Sequence, residues 1–245
     1  MSLVSATGIV GGIKEYTFRG IQQLPIILGA TSMLFTIKTG SVAHANLALG
    51  LGILMPLYTY TLQSVLTFII QYAKPQDKIS WTRSTGDSCN IVPSGDRKSI
   101  KYFNSVSNDS NAQSVPSYWL MEVVFFIGYA LSNAIDSLQT PAKPNADPDN
   151  VEKRNSGAIF LIVSICVLSI MVLAVRFTTM RGCEGRGSLG LFLSILSAAG
   201  AGTIGYFVYT FSRRCGSRAS DLFGILSQIL PASSTADHPI VCSAD

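Results

Sequence analysis

The stretch Gly187–Phe211 reads GSLGLFLSILSAAGAGTIGYFVYTF and contains no charged residue in 25 positions. Arg186 precedes it, and Arg213 and Arg214 follow it closely. A helix rises about 1.5 Å per residue, so this stretch is longer than the roughly 30 Å of a bilayer's hydrocarbon core. The basic residues at both ends would lie among the lipid headgroups. The sequence therefore predicts a transmembrane helix here.

The composition and four further apolar stretches indicate that the whole chain is membrane-embedded. Hydrophobic residues make up 48% of the sequence and charged residues only 13%, whereas a soluble domain has about 25% charged residues. The further stretches are Ile21–Ile37, Asn46–Tyr72, Tyr118–Leu138 and Asn155–Val175. We predict an all-α fold, a multi-pass transmembrane helix bundle of four to five spans. The count is open because the short first stretch could instead be a re-entrant or interfacial segment.

The alternation of apolar and polar stretches divides the chain into five parts. They are an N-terminal segment (1–20), the first two spans (21–72), a polar loop or small ectodomain (73–117), the last three spans (118–211), and an amphipathic helix with a polar tail (212–245). The loop has about 44 residues and could form a small β-hairpin ectodomain or an extended arm. The amphipathic helix is expected over Ser220–Leu230, where Pro231 would end it. In the second span, Pro56 just after Gly50 and Gly52 predicts a kink.

The last span carries small residues at every fourth position. Small side chains let two helix backbones approach closely, which drives helix association where lipid offers no hydrophobic gain. The two stripes are Ser194, Ala198 and Gly202, and Ser197, Ala201 and Gly205. We expect tight helix packing here, either within the chain or with a partner.

The third span is the one with ionisable residues well inside its limits. Glu122, Asn133 and Asp136 share one helical face with Phe126 and Tyr129, at spacings of i, i+4, i+7, i+11 and i+14. Two interpretations remain open. The acids can lie at the two interfaces while Asn133 makes an interhelical hydrogen bond, or the face can form part of a cation or proton route.

Patterns that carry catalytic or metal chemistry are not found in the sequence. His44 and His238 are the only histidines, and there is no zinc-ligand spacing and no HExxH, Walker or GxSxG motif. A formal GxGxxG over Gly185–Gly190 follows a span rather than a strand. We therefore expect no enzymatic activity, no catalytic or metal site and no cofactor. We also expect no nucleic-acid partner and no small-molecule substrate.

Cysteine spacing and basic residues give little information on compartment. The five cysteines form no CxxC pair, and Cys183 and Cys215 lie at opposite ends of the last span. With five spans, eleven Lys and Arg residues fall on the side of the N-terminus and the long loop, and seven on the other side. Short loops carry most of the weight in this rule, and here they disagree with one another. We favour the N-terminus and the long loop on the inside.

Two segments carry a resemblance to a known group of proteins. MSLVSATGIVGGIKEYTF at residues 1–18 and GDSCNIVPSGDRKS at residues 86–99, with the Ser/Asn-rich loop around the latter, resemble small multi-span proteins of large icosahedral double-stranded DNA viruses, such as the algal chloroviruses. Those proteins belong to the internal membrane and minor capsid layer.

The resemblance implies a non-enzymatic structural protein that tethers the inner membrane of a virion to its capsid. The lipid bilayer and neighbouring capsid subunits would then be its partners, and the virion internal membrane its location. Two alternatives remain. One is an accessory subunit of an organellar membrane complex. The other is a small ion or proton channel or transporter that uses the polar face of the third span.

Overall fold

The structure, a computed structural model, describes residues 6–73, 81–84, 89, 91, 112–139, 148–180, 182–214 and 222. Within these ranges the chain forms long helices and one two-stranded hairpin. The helices are α1 (Ala6–Thr39), α2 (Val42–Leu49), a π-helical segment (Gly50–Leu54), α3 (Met55–Ala73), α4 (Tyr118–Gln139), α5 (Pro148–Thr179) and α6 (Gly187–Arg214). The strands are β1 (Thr82–Ser84) and β2 (Ala112–Ser114).

Five helical stretches are long and apolar enough to cross a membrane. They are Tyr16–Lys38, Val42–Tyr72, Tyr118–Gln139, Val151–Thr178 and Gly187–Arg214. The prediction of an all-α multi-pass bundle is therefore confirmed, with all five stretches helical. The first stretch lies within one continuous helix of 34 residues in spite of Pro25. This helix begins at Ala6, so most of the predicted N-terminal segment is part of α1.

The second span is interrupted near the expected position. The π-helical segment Gly50–Leu54 directly precedes Pro56 and separates α2 from α3. Proline has no N–H to offer the carbonyl four residues before it, and a wider turn accommodates the missing bond and the ring. Gly50 also lets this segment approach α4, since a Cβ atom at that position would lie 2.3 Å from Cζ of Phe125.

Helix α4 is the centre of the bundle and packs against α6, α5, α3, α1 and the π-helical segment. It is the most buried of the five spans, whereas α5 is the most exposed. The buried core draws most of its large side chains from α4, namely Trp119, Leu120, Met121, Val123, Phe125 and Tyr129, and adds Leu47, Leu51 and Met55 from the second span. The outward faces of the other helices remain apolar and are available to lipid.

The polar loop contributes a small hairpin that lies at one end of the bundle. Strands β1 and β2 pair antiparallel, with Arg83 opposite Gln113. The backbone N–H of Arg186 donates a 2.6 Å hydrogen bond to the carbonyl oxygen of Thr82. This contact joins the hairpin to the connection between α5 and α6. Of the predicted amphipathic helix Ser220–Leu230, only Leu222 lies within the described residues.

Candidate functional site

Glu184 joins three helices at the hairpin end of the bundle. It lies in the connection between α5 and α6 and is 2% exposed. Its Oε1 accepts a 2.8 Å hydrogen bond from Nε of Arg176 in α5. Its Oε2 accepts one from the hydroxyl of Ser117, which precedes α4, and its backbone carbonyl accepts one from Ser194 in α6. We call these residues, with Trp119, the Glu184 cluster.

Arg176 extends the Glu184 cluster to the first helix. Its guanidinium lies 4.7 Å from the ring centroid of Trp119, a cation–π geometry. Its Nη1 also contacts Sδ of Met180 at 2.8 Å. The indole Nε1 of Trp119 donates a 2.7 Å hydrogen bond to the carbonyl of Ile21 in α1. A fully buried arginine thus has both an anion and an aromatic face beside it, as burial of a charge requires.

Ser117 has two functions in the Glu184 cluster. Its hydroxyl oxygen accepts a 3.1 Å hydrogen bond from the backbone N–H of Leu120, which caps the start of α4. The same hydroxyl donates to the Glu184 carboxylate. A serine hydroxyl has one donor and two acceptor sites, so both bonds can exist together. The start of α4 is therefore fixed relative to the turn between α5 and α6.

A second buried cation lies beside the Glu184 cluster. Arg83 of β1 is buried, and its Nε donates a 3.2 Å hydrogen bond to the carbonyl of Ser114 across the hairpin. Burial lowers the pKa of Arg83 to about 10, and the nearby Glu184 carboxylate opposes that shift by favouring the charged form. The Glu184 carboxylate therefore helps to offset two buried guanidinium groups.

A disulfide adjoins the same cluster. Cys89 of the polar loop bonds to Cys183, the residue before Glu184, with 5.2 Å between their Cα atoms. Cysteine spacing alone does not indicate this pair, and only Cys183 and Cys215 were compared above. Cys89 and Cys183 are separated by two spans and so lie on the same side of the membrane. That shared side was the signal that could have suggested the pairing.

The opposite end of the bundle holds a second group of polar contacts, the Asp136 cluster. The Asp136 carboxylate accepts a 2.8 Å hydrogen bond from the hydroxyl of Tyr209 and forms an ion pair with Arg213. The hydroxyl of Tyr129 donates a 2.8 Å hydrogen bond to the carbonyl of Ala43. The amide nitrogen of Asn46 donates one of the same length to the hydroxyl of Ser212. This cluster ties α2, α4 and α6 together.

The chain beyond α6 also reaches the Asp136 cluster. Leu222 is buried, and its carbonyl accepts a 2.8 Å hydrogen bond from Nε2 of His44. Its backbone N–H lies 3.5 Å from Oδ1 of Asn133. His44 therefore holds this backbone segment in place.

The structure separates the predicted polar face of α4 into two parts. Asn133 and Asp136 belong to the Asp136 cluster, whereas Glu122 lies eleven residues before Asn133, about 16 Å along the helix. Glu122 is buried and has no hydrogen bond or ion pair within the described residues. Phe125 and Tyr129 are fully buried between the two positions. Across the described residues the face is therefore not a continuous polar route.

The small residues of α6 lie against α4. Ser194, Ser197, Ala198, Ala201 and Gly205 are buried, and Gly202 is half-buried. A Cβ atom at Gly205 would lie 2.3 Å from the carbonyl oxygen of Phe125, and one at Gly128 would lie 2.2 Å from that of Gly202. The two backbones thus approach as closely as small residues permit. Gly202 and Gly205 therefore pack on α4 of the same chain, whereas Ser194 bonds to the Glu184 carbonyl and the Ser197 carbonyl accepts a bond from Tyr58 of α3.

The described residues contain no group of three His, Cys, Asp or Glu side chains that could hold a metal ion. No protein-family model, no curated protein and no solved structure matches this chain. The fold itself defines the class: the chain is a multi-pass, all-α integral membrane protein.

The close approach of α4 and α6 gives a first prediction. We expect Gly205→Ala to lower the stability by about 1–3 kcal/mol, because the added methyl group would press on the Phe125 carbonyl and separate the helices. Gly29→Ala is the control, since nothing lies within 4 Å of its Cβ position, and it should be neutral or stabilising by up to about 1 kcal/mol. Thermal unfolding in mild detergent measures both. Equal transition temperatures for the two variants would contradict the packing.

The buried ion pair gives a second prediction. Arg176→Met should lower the free energy of unfolding by about 3–5 kcal/mol, because the Glu184 carboxylate would stay buried without its ion-pair partner. The double variant Arg176→Met/Glu184→Gln should lose clearly less stability than Arg176→Met and Glu184→Gln lose in sum.

Arg213→Met is the matched control for the ion pair, since the Arg213 side chain is 55% exposed. Loss of the Arg213 guanidinium should lower the free energy of unfolding by no more than about 1 kcal/mol. Unfolding curves of the four variants in one detergent provide the comparison. Two results would contradict this description of the ion pair. One is a double variant that loses as much stability as the two single variants together, and the other is a larger loss in Arg213→Met than in Arg176→Met.

Proposed function

We propose that this protein is a non-enzymatic structural membrane protein that anchors or organises a large assembly at a bilayer. The observation that carries the proposal is the use of the buried polar side chains. In the Glu184 and Asp136 clusters they bind other parts of the same chain and so hold helices in register. Such internal contacts favour a rigid scaffold over a site that takes a substrate.

The outer surface supports lipid and subunit partners. Helix α5 contacts the bundle mainly through α4, and its other faces expose large apolar side chains such as Phe160 and Ile170. A bilayer would cover these faces, and neighbouring transmembrane subunits could replace part of the lipid. We expect no cofactor, small-molecule substrate or nucleic acid among the partners.

The finer proposal is a minor capsid protein that tethers the internal membrane of a virion to its capsid. Its support is the resemblance of residues 1–18 and 86–99 to proteins of large icosahedral DNA viruses. The second segment includes Cys89, so the disulfide attaches the resembling loop to the rigid end of the bundle. An accessory subunit of an organellar membrane complex would use the same bundle in the same manner.

A proton or ion channel is the second candidate, and Glu122 favours it. A buried carboxyl group within a span is costly and commonly marks a proton or ion path. Against it stands the separation of Glu122 from Asn133 and Asp136 by fully buried aromatic residues.

Flux measurements distinguish the scaffold from the channel. We expect liposomes containing the purified protein to show the same proton and cation flux as protein-free liposomes, because no polar route joins the two ends through the part of the chain that the structure describes. Glu122→Gln should then change nothing. The matched control is Glu152→Gln, an exposed acid at the start of α5. A flux that disappears in Glu122→Gln and persists in Glu152→Gln would establish the channel instead.

Purification from the native membrane in mild detergent provides the positive test. The scaffold proposal expects capsid or other complex subunits to co-purify at a fixed stoichiometry. Recovery of a lone oligomer would contradict it.

A further inference from the structure

We infer that the two ends of the bundle lie in different redox compartments, with the Cys89–Cys183 end in the oxidising one. Disulfides form and persist in oxidising compartments such as the lumen of the endoplasmic reticulum or the cell exterior, and are rare in the cytosol. The two cysteines are buried with Met180, and Phe18 packs against them. The bond is thus part of the folded end of the bundle rather than an exposed pair that oxidises by accident.

Contacts between elements show which parts of the chain share the disulfide end. Phe18 packs against the disulfide, and Ile21 accepts the hydrogen bond from Trp119, so the beginning of the first span lies there. The hairpin lies there too, through its bond to Arg186. The N-terminal side of the first span and the polar loop are therefore assigned to the oxidising compartment.

The Asp136 cluster fixes the other end. Asn46 bonds to Ser212, and His44 bonds to Leu222, so the beginning of the second span and the chain after α6 share that end. Five spans lie between the N-terminal side and Leu222. Because five is an odd number, the two are expected on opposite sides of the membrane. Arg213 and Arg214 are exposed at this end, which we assign to the reducing, cytosolic side.

This assignment reverses the orientation favoured from basic residues alone. Of the eleven Lys and Arg residues on the loop side, six lie in residues 74–117. That loop has about 44 residues, and the shorter connections carry most of the weight in the rule for basic residues. Without the loop, five basic residues remain on the loop side and seven lie on the other side. This bias favours an orientation with the Arg213 end inside. Arg83 and Arg176 are moreover buried in structural contacts.

Protease protection tests the assignment directly. The full chain is expressed in a eukaryotic host with one epitope tag at each terminus, and sealed microsomes with the cytosolic face outward are treated with protease. We expect the N-terminal tag to survive and the C-terminal tag to be lost, and both to be lost once detergent opens the vesicles. Survival of the C-terminal tag, or loss of the N-terminal tag in sealed vesicles, would overturn the topology.

Thiol counting tests the disulfide in the same microsomes. Free thiols are blocked under denaturing conditions, the sample is reduced, and newly exposed thiols are labelled with a polyethylene glycol maleimide. We expect two labelled cysteines in the wild type and none in Cys89→Ser or Cys183→Ser, whereas Cys166→Ser, at an unpaired cysteine in α5, keeps both. No labelling of the wild type, or labelling that survives Cys183→Ser, would contradict the inference.

Discussion

The ion pair between Arg176 and Glu184 is the constraint on which the hairpin end of the bundle depends. Both side chains are almost fully buried, at a distance of 2.8 Å. Removing two charges from water costs several kcal/mol for each, and a close geometry with further contacts is needed to offset that cost. That geometry requires Trp119 beneath the guanidinium and Ser117 at the carboxylate. The positions of α1, α4, α5 and α6 at this end are therefore linked.

The two polar clusters lie at opposite ends of a middle section of apolar and small residues. In the middle, α4 and α6 approach through Gly128, Gly202 and Gly205, where dispersion and backbone contact replace polar bonds. At the ends, water and headgroups reduce the cost of charged groups, so ion pairs and hydrogen bonds can set the helix register. This division gives a packed helix bundle with an apolar belt between two polar ends. It suits a protein that holds other components in place at a membrane.

Much of the fold could be predicted from the sequence because each membrane span is one continuous apolar stretch. Uncharged runs such as Gly187–Phe211 show length and composition directly, and Pro56 marks the irregular turn of the second span. The Glu184 cluster could not be predicted in this way. Arg176 ends an apolar run and is expected to extend to the headgroups, yet the following turn folds back and buries it. Helical periodicity placed Glu122 and Asp136 on one face, but it carries no information on what packs between them.

Hydrogen–deuterium exchange in mild detergent tests the central role of the buried ion pair most directly. The account predicts that Arg176→Met raises exchange in the first turns of α4 and α6 as well as at the end of α5, because the Glu184 carboxylate and backbone contact all three. Helix α2, at the far end, should keep its protection because the Asp136 cluster holds it. Exchange that rises in α5 alone would show that the ion pair does not hold the bundle together.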